Sequence, residues 1–327
     1  MPHDNHVQFA AEAVRQAALL VRQIQAEMVT PAITKQDRSP VTVADFAAQA
    51  LIAQRLSESF PGDVLVAEES TGALLTPDGE KALEQVTQFV GRKIANASRA
   101  RVCEWIERGT AEPSDAFWTL DPVDGTKGFL RGDQYAVALA RIENGSVTIA
   151  ALGCPGMTPQ GIAAADAGGV LVLAARGQGC RAAPLAGGDF HPWRASECRE
   201  LAQARMLRSV ESGHTNTDQT GRLAEELGLA ADSIAMDSQA KYAALASGGA
   251  EILVRLLSPG RPDYRELIWD QAAGSLIVEE AGGRVTDLDG QPLDFSTGRT
   301  LARNRGVLAT SGPIHDRVLQ ALAAIGA

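Results

Sequence analysis

Apolar residues near the start of the chain recur every three or four positions, which is the spacing of a helix with one buried face. One such run extends over residues 7–28 and a second over residues 46–60. Pro40 interrupts the chain between the two runs, and Thr42 is a candidate N-cap for the second helix. The pattern therefore predicts two amphipathic helices, with Asp45 in the first turn of the second.

Short apolar runs that end at turn residues predict strands in the middle of the chain. Two of these runs flank Asn144-Gly145, a dipeptide typical of a two-residue β-hairpin. A helix is expected over residues 80–97. The predicted strands cover residues 64–67, 117–120, 135–142, 147–152, 161–165 and 170–174, and the last two are expected to form an antiparallel pair.

The second half of the chain alternates between predicted strands and helices, beyond a Gly- and Pro-containing link at about residues 184–200. This alternation is typical of an α/β domain, whereas the first half indicates helices on an antiparallel sheet. We therefore predict an α+β domain over residues 1–198 and an α/β domain over residues 199–327. The alternating elements cover residues 205–209, 217–229, 233–236, 239–247, 251–257, 307–310 and 314–325.

Composition excludes several classes of protein. The chain has 327 residues, 45% of them hydrophobic and 21% charged, with a net charge of −10. Such an acidic chain is unsuited to general binding of nucleic acid or anionic membranes, which need a basic face. We find no secretory signal and no apolar run of the roughly 18 residues that span a bilayer. The four cysteines show no C-x-x-C pairing, which favours reduced, buried thiols in a cytoplasmic protein.

Candidate chemistry centres on the turn that follows the predicted strand 117–120. Asp121, Asp124 and the carbonyl of Val123 form a set of hard oxygen ligands suited to Mg²⁺. Gly125 has no Cβ, so the backbone N–H groups of Gly125 and Thr126 can approach an anion closely. The turn therefore predicts a metal and a phosphate at one corner.

Other acids also lie at the ends of predicted elements. Glu68 and Glu69 end the strand 64–67, and because neighbouring strand residues face opposite ways, one can point at a site while the other supports it. Asp45 alone is explained by the helix dipole, and Asp270 alone by an N-cap. Together with Asp121 and Asp124, however, these placements indicate a single acidic cleft.

Four blocks resemble the Mg²⁺-dependent, Li⁺-sensitive phosphatases related to inositol monophosphatase. Three further blocks are most similar to the yeast and plant bisphosphate nucleotidases within that family. The resemblance spans nearly the whole chain and implies a layered αβαβα sandwich. The first four blocks are Ser39–Asp45, Ala67–Ser70, Trp118–Phe129 and Trp269–Gly274, and the other three are Lys127–Val137, Met236–Tyr242 and Pro292–Phe295.

This resemblance implies roles for the acids. Thr126, hydrogen-bonded to Asp45, would orient and deprotonate the attacking water, and Glu69 would position a ligand or a water. Two or three Mg²⁺ ions would be bound by Glu68, Asp121, the Val123 carbonyl, Asp124 and Asp270.

The resemblance also implies a substrate with two phosphates. Lys241 and Arg255 supply positive charge on an otherwise acidic chain, which suits a second phosphate group. The implied activity is removal of the 3'-phosphate of adenosine 3',5'-bisphosphate by a cytoplasmic monomer in sulfur metabolism, with the 5'-phosphosulfate relative as a further substrate. The implied substrate contacts are Asp124, Gly125, Thr126, His214, Ser238, Lys241, Arg255 and Asp270.

Three alternative functions share part of this pattern. A haloacid-dehalogenase-type phosphatase places its two acids two residues apart, whereas Asp121 and Asp124 are three apart. A non-enzymatic sensor on the same fold would have lost a ligand or the Thr126/Asp45 pair, and none is missing. Hydrolysis of inositol mono- or polyphosphates remains the main alternative.

Overall fold

Helices and sheets alternate in five layers in the computed structural model of the chain. The structure describes residues 2–27, 33–34, 40–164, 167–210, 217–258 and 260–327. Its helices are α1 Pro2–Glu27, α2 Val43–Ser59, α3 Glu80–Gly91, α4 Arg99–Glu107, α5 Thr126–Arg131, α6 Thr217–Glu226, α7 Ala240–Ala246, α8 Ile268–Glu280 and α9 His315–Ala324.

Two larger sheets account for most of the strands. Their strands are β3 Val64–Ala67, β4 Ala116–Asp124, β5 Ala136–Glu143, β6 Ser146–Cys154, β7 Val170–Ala175, β8 Cys180–Pro184, β9 His191–Trp193, β10 Met206–Arg208, β11 Ile234–Ala235, β12 Ile252–Arg255, β13 Gly283–Thr286 and β14 Val307–Ser311. A small hairpin is formed by β1 Ile33–Thr34 and β2 Pro40–Val41.

The first sheet has the strands in chain order from β3 to β9, with β3 parallel to β4 and every later pair antiparallel. The interior strand β5 is mostly apolar, as expected for a strand covered on both faces. Alternate residues divide between the faces: Leu139 packs with α1 and α2, whereas Ala138 and Ala140 face α7 and α8. The first sheet therefore lies between a layer formed by α1 and α2 and a layer formed by α7 and α8.

The second sheet has the order β11-β10-β12-β14-β13 and mixes parallel with antiparallel pairs. Its residues alternate in the same way, because Leu253 joins the core shared with α7 and α8, whereas Ile252 and Val254 face α6 and α9. The result is the αβαβα sandwich that the family resemblance implies. The α7–α8 layer shares one apolar core with both sheets, and the division at residues 198/199 stays a prediction.

Several sequence predictions are confirmed and others are wrong. Strand 64–67 and the hairpin at Asn144-Gly145 are confirmed, both turn residues having the positive φ that such a turn requires. The helix predicted over residues 80–97 is present but ends earlier, at Gly91. A separate helix, α4, begins at Arg99, after Asn96 with its positive φ and the N-cap Ser98. The predicted pairing of residues 161–165 with 170–174 is also wrong, because β7 pairs with β6 and β8.

The four cysteines are unpaired, as predicted, but only Cys154 and Cys180 are buried. Burial raises the pKa of the Cys180 thiol to about 12, so it stays protonated at neutral pH. None of the helices in the described part of the chain combines the length and hydrophobicity needed to span a bilayer.

Gly274 sets how closely α8 can approach α7. A Cβ added at this residue would lie 2.3 Å from Cδ2 of Tyr242, a clash that a buried ring cannot avoid without moving α7. We expect Gly274→Ala to lower the free energy of unfolding by about 1–3 kcal/mol. Urea denaturation measures the change.

Gly221 offers the matched control because it also lies inside a helix, α6, but has open space around its would-be Cβ. Gly221→Ala should stabilise the protein by about 0.5–1 kcal/mol through helix propensity alone. Equal effects of the two substitutions would contradict the packing argument for Gly274.

Candidate active site

The parallel pairing of β3 with β4 brings Glu68 beside Asp121. Ala67 is opposite Leu120 in the register, and the backbone N–H of Glu68 donates to the carbonyl of Leu120 at 3.2 Å. The next residue of each strand is an acid, so two carboxylates leave the same end of neighbouring strands. Adjacent strands are about 4.8 Å apart, which places the two side chains within reach of one ligand.

Strand β4 does not end before Asp121, as the sequence suggested, but continues through Asp124. The register runs from Asp121 opposite Ala138 to Asp124 opposite Ala136, so β4 contains one more residue than β5 over this span. Residues three apart on a regular strand face opposite sides, but this β-bulge shifts the count by one. Both aspartates can therefore face the same side. A bulge is also one of the few places where a strand tolerates a proline such as Pro122.

Gly125 turns the chain from β4 into α5 in the left-handed conformation, with φ 87°. A Cβ at this position would lie 2.8 Å from the Cβ of Ser238, so only glycine allows the two segments to touch. Ser238 itself has a φ of 63°, which is uncommon outside glycine. The predicted substrate contacts Gly125, Thr126 and Ser238 thus come together.

Asp45 serves two neighbours with its two carboxylate oxygens. Oδ2 accepts hydrogen bonds from the backbone N–H and the hydroxyl of Thr42, at 2.8 and 2.6 Å, which completes a capping box at the start of α2. Oδ1 accepts a long hydrogen bond of 3.4 Å from the hydroxyl of Thr126, which also lies 3.2 Å from the carbonyl of Val123. Capping therefore holds Asp45 in place to contact Thr126.

Asp270 is the third residue of α8 and not its N-cap, so the capping interpretation is wrong. The N-cap is Leu267, and the first helical N–H, that of Ile268, donates to the carbonyl of Arg299 at 3.1 Å. Another segment of the chain thus partners this helix end. The Asp270 side chain is free to face the strand-end acids.

The predicted acids act on one another electrostatically. Burial raises the pKa of Asp121 well above its usual value, and the charges of Glu68, Asp124, Asp270 and Asp45 raise it further. Burial and the charge of Asp124 likewise raise the pKa of Asp270. These acids from four distant segments therefore lie close enough to repel one another.

A hard divalent cation fits this donor set, because it would neutralise the repulsion among buried oxygen ligands. Within the described ranges, no three Asp, Glu, His or Cys side chains already stand in a metal-coordinating arrangement. Asp124 instead accepts a 2.6 Å hydrogen bond from the backbone N–H of Gln239, and Asp121 one of 3.1 Å from that of Val123. The ligand roles stay predictions.

Two cations lie beside the acids and are not surface residues. Lys241 is 4% exposed, and its Nζ donates to the carbonyl of Met236 at 3.2 Å. Burial lowers the pKa of Lys241 to about 8, although the charge of Asp124 opposes the shift. Arg255 is mostly buried and pairs with Glu266 at 2.8 Å, and its charge lowers the pKa of Asp270.

The remaining predicted residues are Glu69 and His214. Glu69 is buried, and the side-chain amide of Gln49 brackets its backbone, donating to the Glu69 carbonyl at 2.7 Å and accepting from its N–H at 3.0 Å. His214 lies outside the described residues.

Sequence reasoning missed two glutamines that hold the site. Gln49 fixes the backbone after β3, and Gln239 joins Asp124 to α8 by donating from Nε2 to the Trp269 carbonyl at 2.9 Å. Gln49 lies among the buried residues of α2, and a polar residue among apolar ones could have indicated a buried hydrogen-bonding role. For Gln239, the only indication in the sequence was its position within the block Met236–Tyr242.

Comparison with known proteins identifies the class that this fold and cleft define. The inositol monophosphatase family matches residues 3–326, and the chain belongs to that family. Among curated relatives, a 3'(2'),5'-bisphosphate nucleotidase of Emericella nidulans is 38% identical, over 98% of both chains. Proteins of the same name from Schizosaccharomyces pombe, 37% identical over 99% of this chain and 97% of that one, and from Oryza sativa, 38% identical over 98% and 94%, are similar.

Solved structures share the fold at lower sequence identity. An IMPase from Thermotoga maritima is 21% identical with a TM-score of 0.68, and 98% of each chain is covered. An inositol monophosphatase from Anabaena has a TM-score of 0.64 at 21% identity, covering 99% of this chain and 97% of that one. These similarities confirm the fold class alone.

Proposed function

We propose that the chain is a Mg²⁺-dependent phosphatase that hydrolyses the 3'-phosphate of adenosine 3',5'-bisphosphate to give AMP and phosphate. Its relatives at 37–38% identity over nearly the full length carry the name 3'(2'),5'-bisphosphate nucleotidase, which supports this choice over inositol phosphates. The 5'-phosphosulfate relative of the same nucleotide is proposed as a further substrate.

The observation that carries the proposal is the presence of two cations beside the acidic cleft. The charges of Lys241 and Arg255 both act on Asp124, where they oppose the raising of its pKa by burial. Nε of Arg255 is buried and lacks a hydrogen-bond partner among the described residues, which leaves a donor to be satisfied. A second, non-reacting phosphate would use this positive charge.

The proposed mechanism assigns each residue a task. Glu68, Asp121, the Val123 carbonyl, Asp124 and Asp270 would hold two or three Mg²⁺. Bound there, these ions supply charge neutralisation on the phosphate and a water of lowered pKa. Thr126 and Asp45 would orient that water and accept its proton, while the N–H groups of Gly125 and Thr126 hold the scissile phosphate.

Other features of the proposal follow the same family. We place the enzyme in the cytoplasm and in sulfur metabolism, as a monomer that is sensitive to Li⁺. His214, Ser238, Lys241 and Arg255 are the proposed contacts to the nucleotide and its second phosphate, with Glu69 supporting a ligand or a water.

A panel of substrates tests the proposed function. Phosphate release with Mg²⁺ should be fastest on adenosine 3',5'-bisphosphate when it is compared with inositol 1-phosphate, inositol 1,4-bisphosphate and fructose 1,6-bisphosphate. Preference for an inositol phosphate would overturn the substrate while leaving the metal mechanism in place. No release from any of them with Mg²⁺ would overturn both.

Lys241→Met tests the role of the second phosphate, because methionine keeps the buried stem and removes the charge. We expect KM for adenosine 3',5'-bisphosphate to rise about 10- to 100-fold, because one charge-assisted hydrogen bond to the second phosphate is lost. The rise should be smaller for adenosine 3'-phosphate, which has no second phosphate. Steady-state kinetics on both substrates measures the difference. Lys81→Met, an exposed position on α3, is the control, and equal rises on the two substrates would refute the role.

A further inference from the structure

Arg299 lies in the connection between β13 and β14 and reaches across the molecule to the acidic strand end. Its Nη2 donates to the carbonyl of Ala67 at 2.6 Å, and its Nη1 donates to the carbonyl of Ala111 at 3.2 Å. Ala67 is the residue immediately before Glu68. The guanidinium therefore holds the end of β3 where a predicted metal ligand leaves the strand.

The same side chain also contacts the start of α8. The guanidinium carbon lies 4.9 Å from the centroid of the Trp269 ring, within the range of a cation–π contact. Its own backbone carbonyl accepts the N–H of Ile268 at 3.1 Å. Arg299 thus contacts the residue before Asp270 as well as the residue before Glu68.

We propose that Arg299 is a positioning residue that sets the separation of the Glu68 and Asp270 carboxylates and thereby the affinity of the metal centre. The inference rests on the metal centre of the proposed function. Those two acids come from segments about 200 residues apart, and repulsion among the acids of the cleft acts to separate them. A fixed contact between their neighbours opposes that separation.

Only arginine can make these contacts at once. Its planar fork donates two hydrogen bonds in the plane while its face stacks on an aromatic ring, whereas the ammonium of lysine is a point charge that does neither together. Arg299→Lys therefore keeps the charge and removes the bridge. It is the variant that separates positioning from electrostatics.

We expect Arg299→Lys to weaken Mg²⁺ binding about 10- to 100-fold, as loss of a residue that supports metal ligands does. Isothermal titration calorimetry measures the affinity directly, and the metal-induced rise in Tm should shrink accordingly. Phosphate release should need a correspondingly higher Mg²⁺ concentration for half-maximal rate and should recover much of kcat at saturating Mg²⁺.

Arg303→Lys is the matched control. Arg303 lies in the same connection, is exposed and pairs with Asp294, so its replacement should leave Mg²⁺ affinity unchanged. If Arg299→Lys folds poorly without metal, Trp269→Phe can be used instead. It leaves Arg299 a smaller aromatic ring to contact and should also weaken Mg²⁺ binding.

The outcomes separate this inference from the proposed function. A wild-type protein whose Tm does not rise with Mg²⁺ overturns the metal centre and this inference together. A normal rise in the wild type that is equalled by Arg299→Lys overturns this inference alone. Lower Tm without metal, combined with unchanged Mg²⁺ affinity, would make Arg299 merely structural and also overturns it.

Discussion

Asp124→Asn should reduce kcat below about one-thousandth of the wild-type value on every substrate, more than the loss of a single transition-state donor costs. Asparagine keeps the shape, and its amide oxygen can still accept the 2.6 Å hydrogen bond from the N–H of Gln239, so the local fold should survive. What disappears is the charge that would bind metal beside Asp121. Phosphate release under saturating Mg²⁺ measures the loss.

The stability of this variant gives a second, independent readout. The pKa of Asp124 is raised, so its ionised form is less favoured in the folded protein than in the unfolded chain at neutral pH. Its removal should therefore not lower Tm without metal, while the metal-induced rise in Tm should vanish. Asp115→Asn, an exposed position just before β4, is the control. An Asp124→Asn enzyme with normal kcat would refute the site.

The sequence indicates which acids form the candidate site but not their geometry. Apolar runs with turn residues predict where β3 and β4 lie, and each strand delivers an acid at its end. The bulge between Asp121 and Asp124 could not be predicted, because Pro122 is as compatible with a turn as with an irregular strand. Only the pairing with β5 decides between them.

Helix termini were harder to predict for a related reason. Asp45 caps α2 and also contacts Thr126. The local pattern alone placed it in the first turn of the helix but did not indicate the contact with Thr126. Asp270 was misplaced because Arg299, about thirty residues later, supplies the acceptor for the first N–H of α8. Contacts between distant segments leave no periodic signal in the chain.

Gln49 shows the same limit on the helical side. The 3.6-residue period predicts that its face of α2 is buried, but not that the side chain holds the backbone of Glu69. The apolar runs alone indicate helices on an antiparallel sheet followed by alternating strands and helices. The five-layer order came from the resemblance to a known family.

Thr126→Val should lower kcat about 10²- to 10⁴-fold, because it removes the hydroxyl that is proposed to help deprotonate the water. Mg²⁺ affinity should be unchanged, because the methyl that replaces the hydroxyl has a similar size. The hydroxyl lies within hydrogen-bond distance of Asp45 Oδ1 and the Val123 carbonyl, and it can donate its one proton to either, whereas valine has none to donate. Calorimetry with Mg²⁺ and steady-state kinetics together separate a lost proton acceptor from a lost metal. Thr87→Val, which removes a hydroxyl bonded at 2.8 Å to the Leu83 carbonyl on α3, should leave kcat unchanged.

Asp45→Asn provides the decisive comparison, since it removes the proton acceptor from the other side of the same hydrogen bond. If Thr126 and Asp45 act as one unit, either single substitution disables it, and the double variant should be no slower than the slower single variant. Independent roles would instead multiply the two losses. Multiplied losses would refute the unit, and a Thr126→Val enzyme with wild-type kcat would show that the water is activated by other residues.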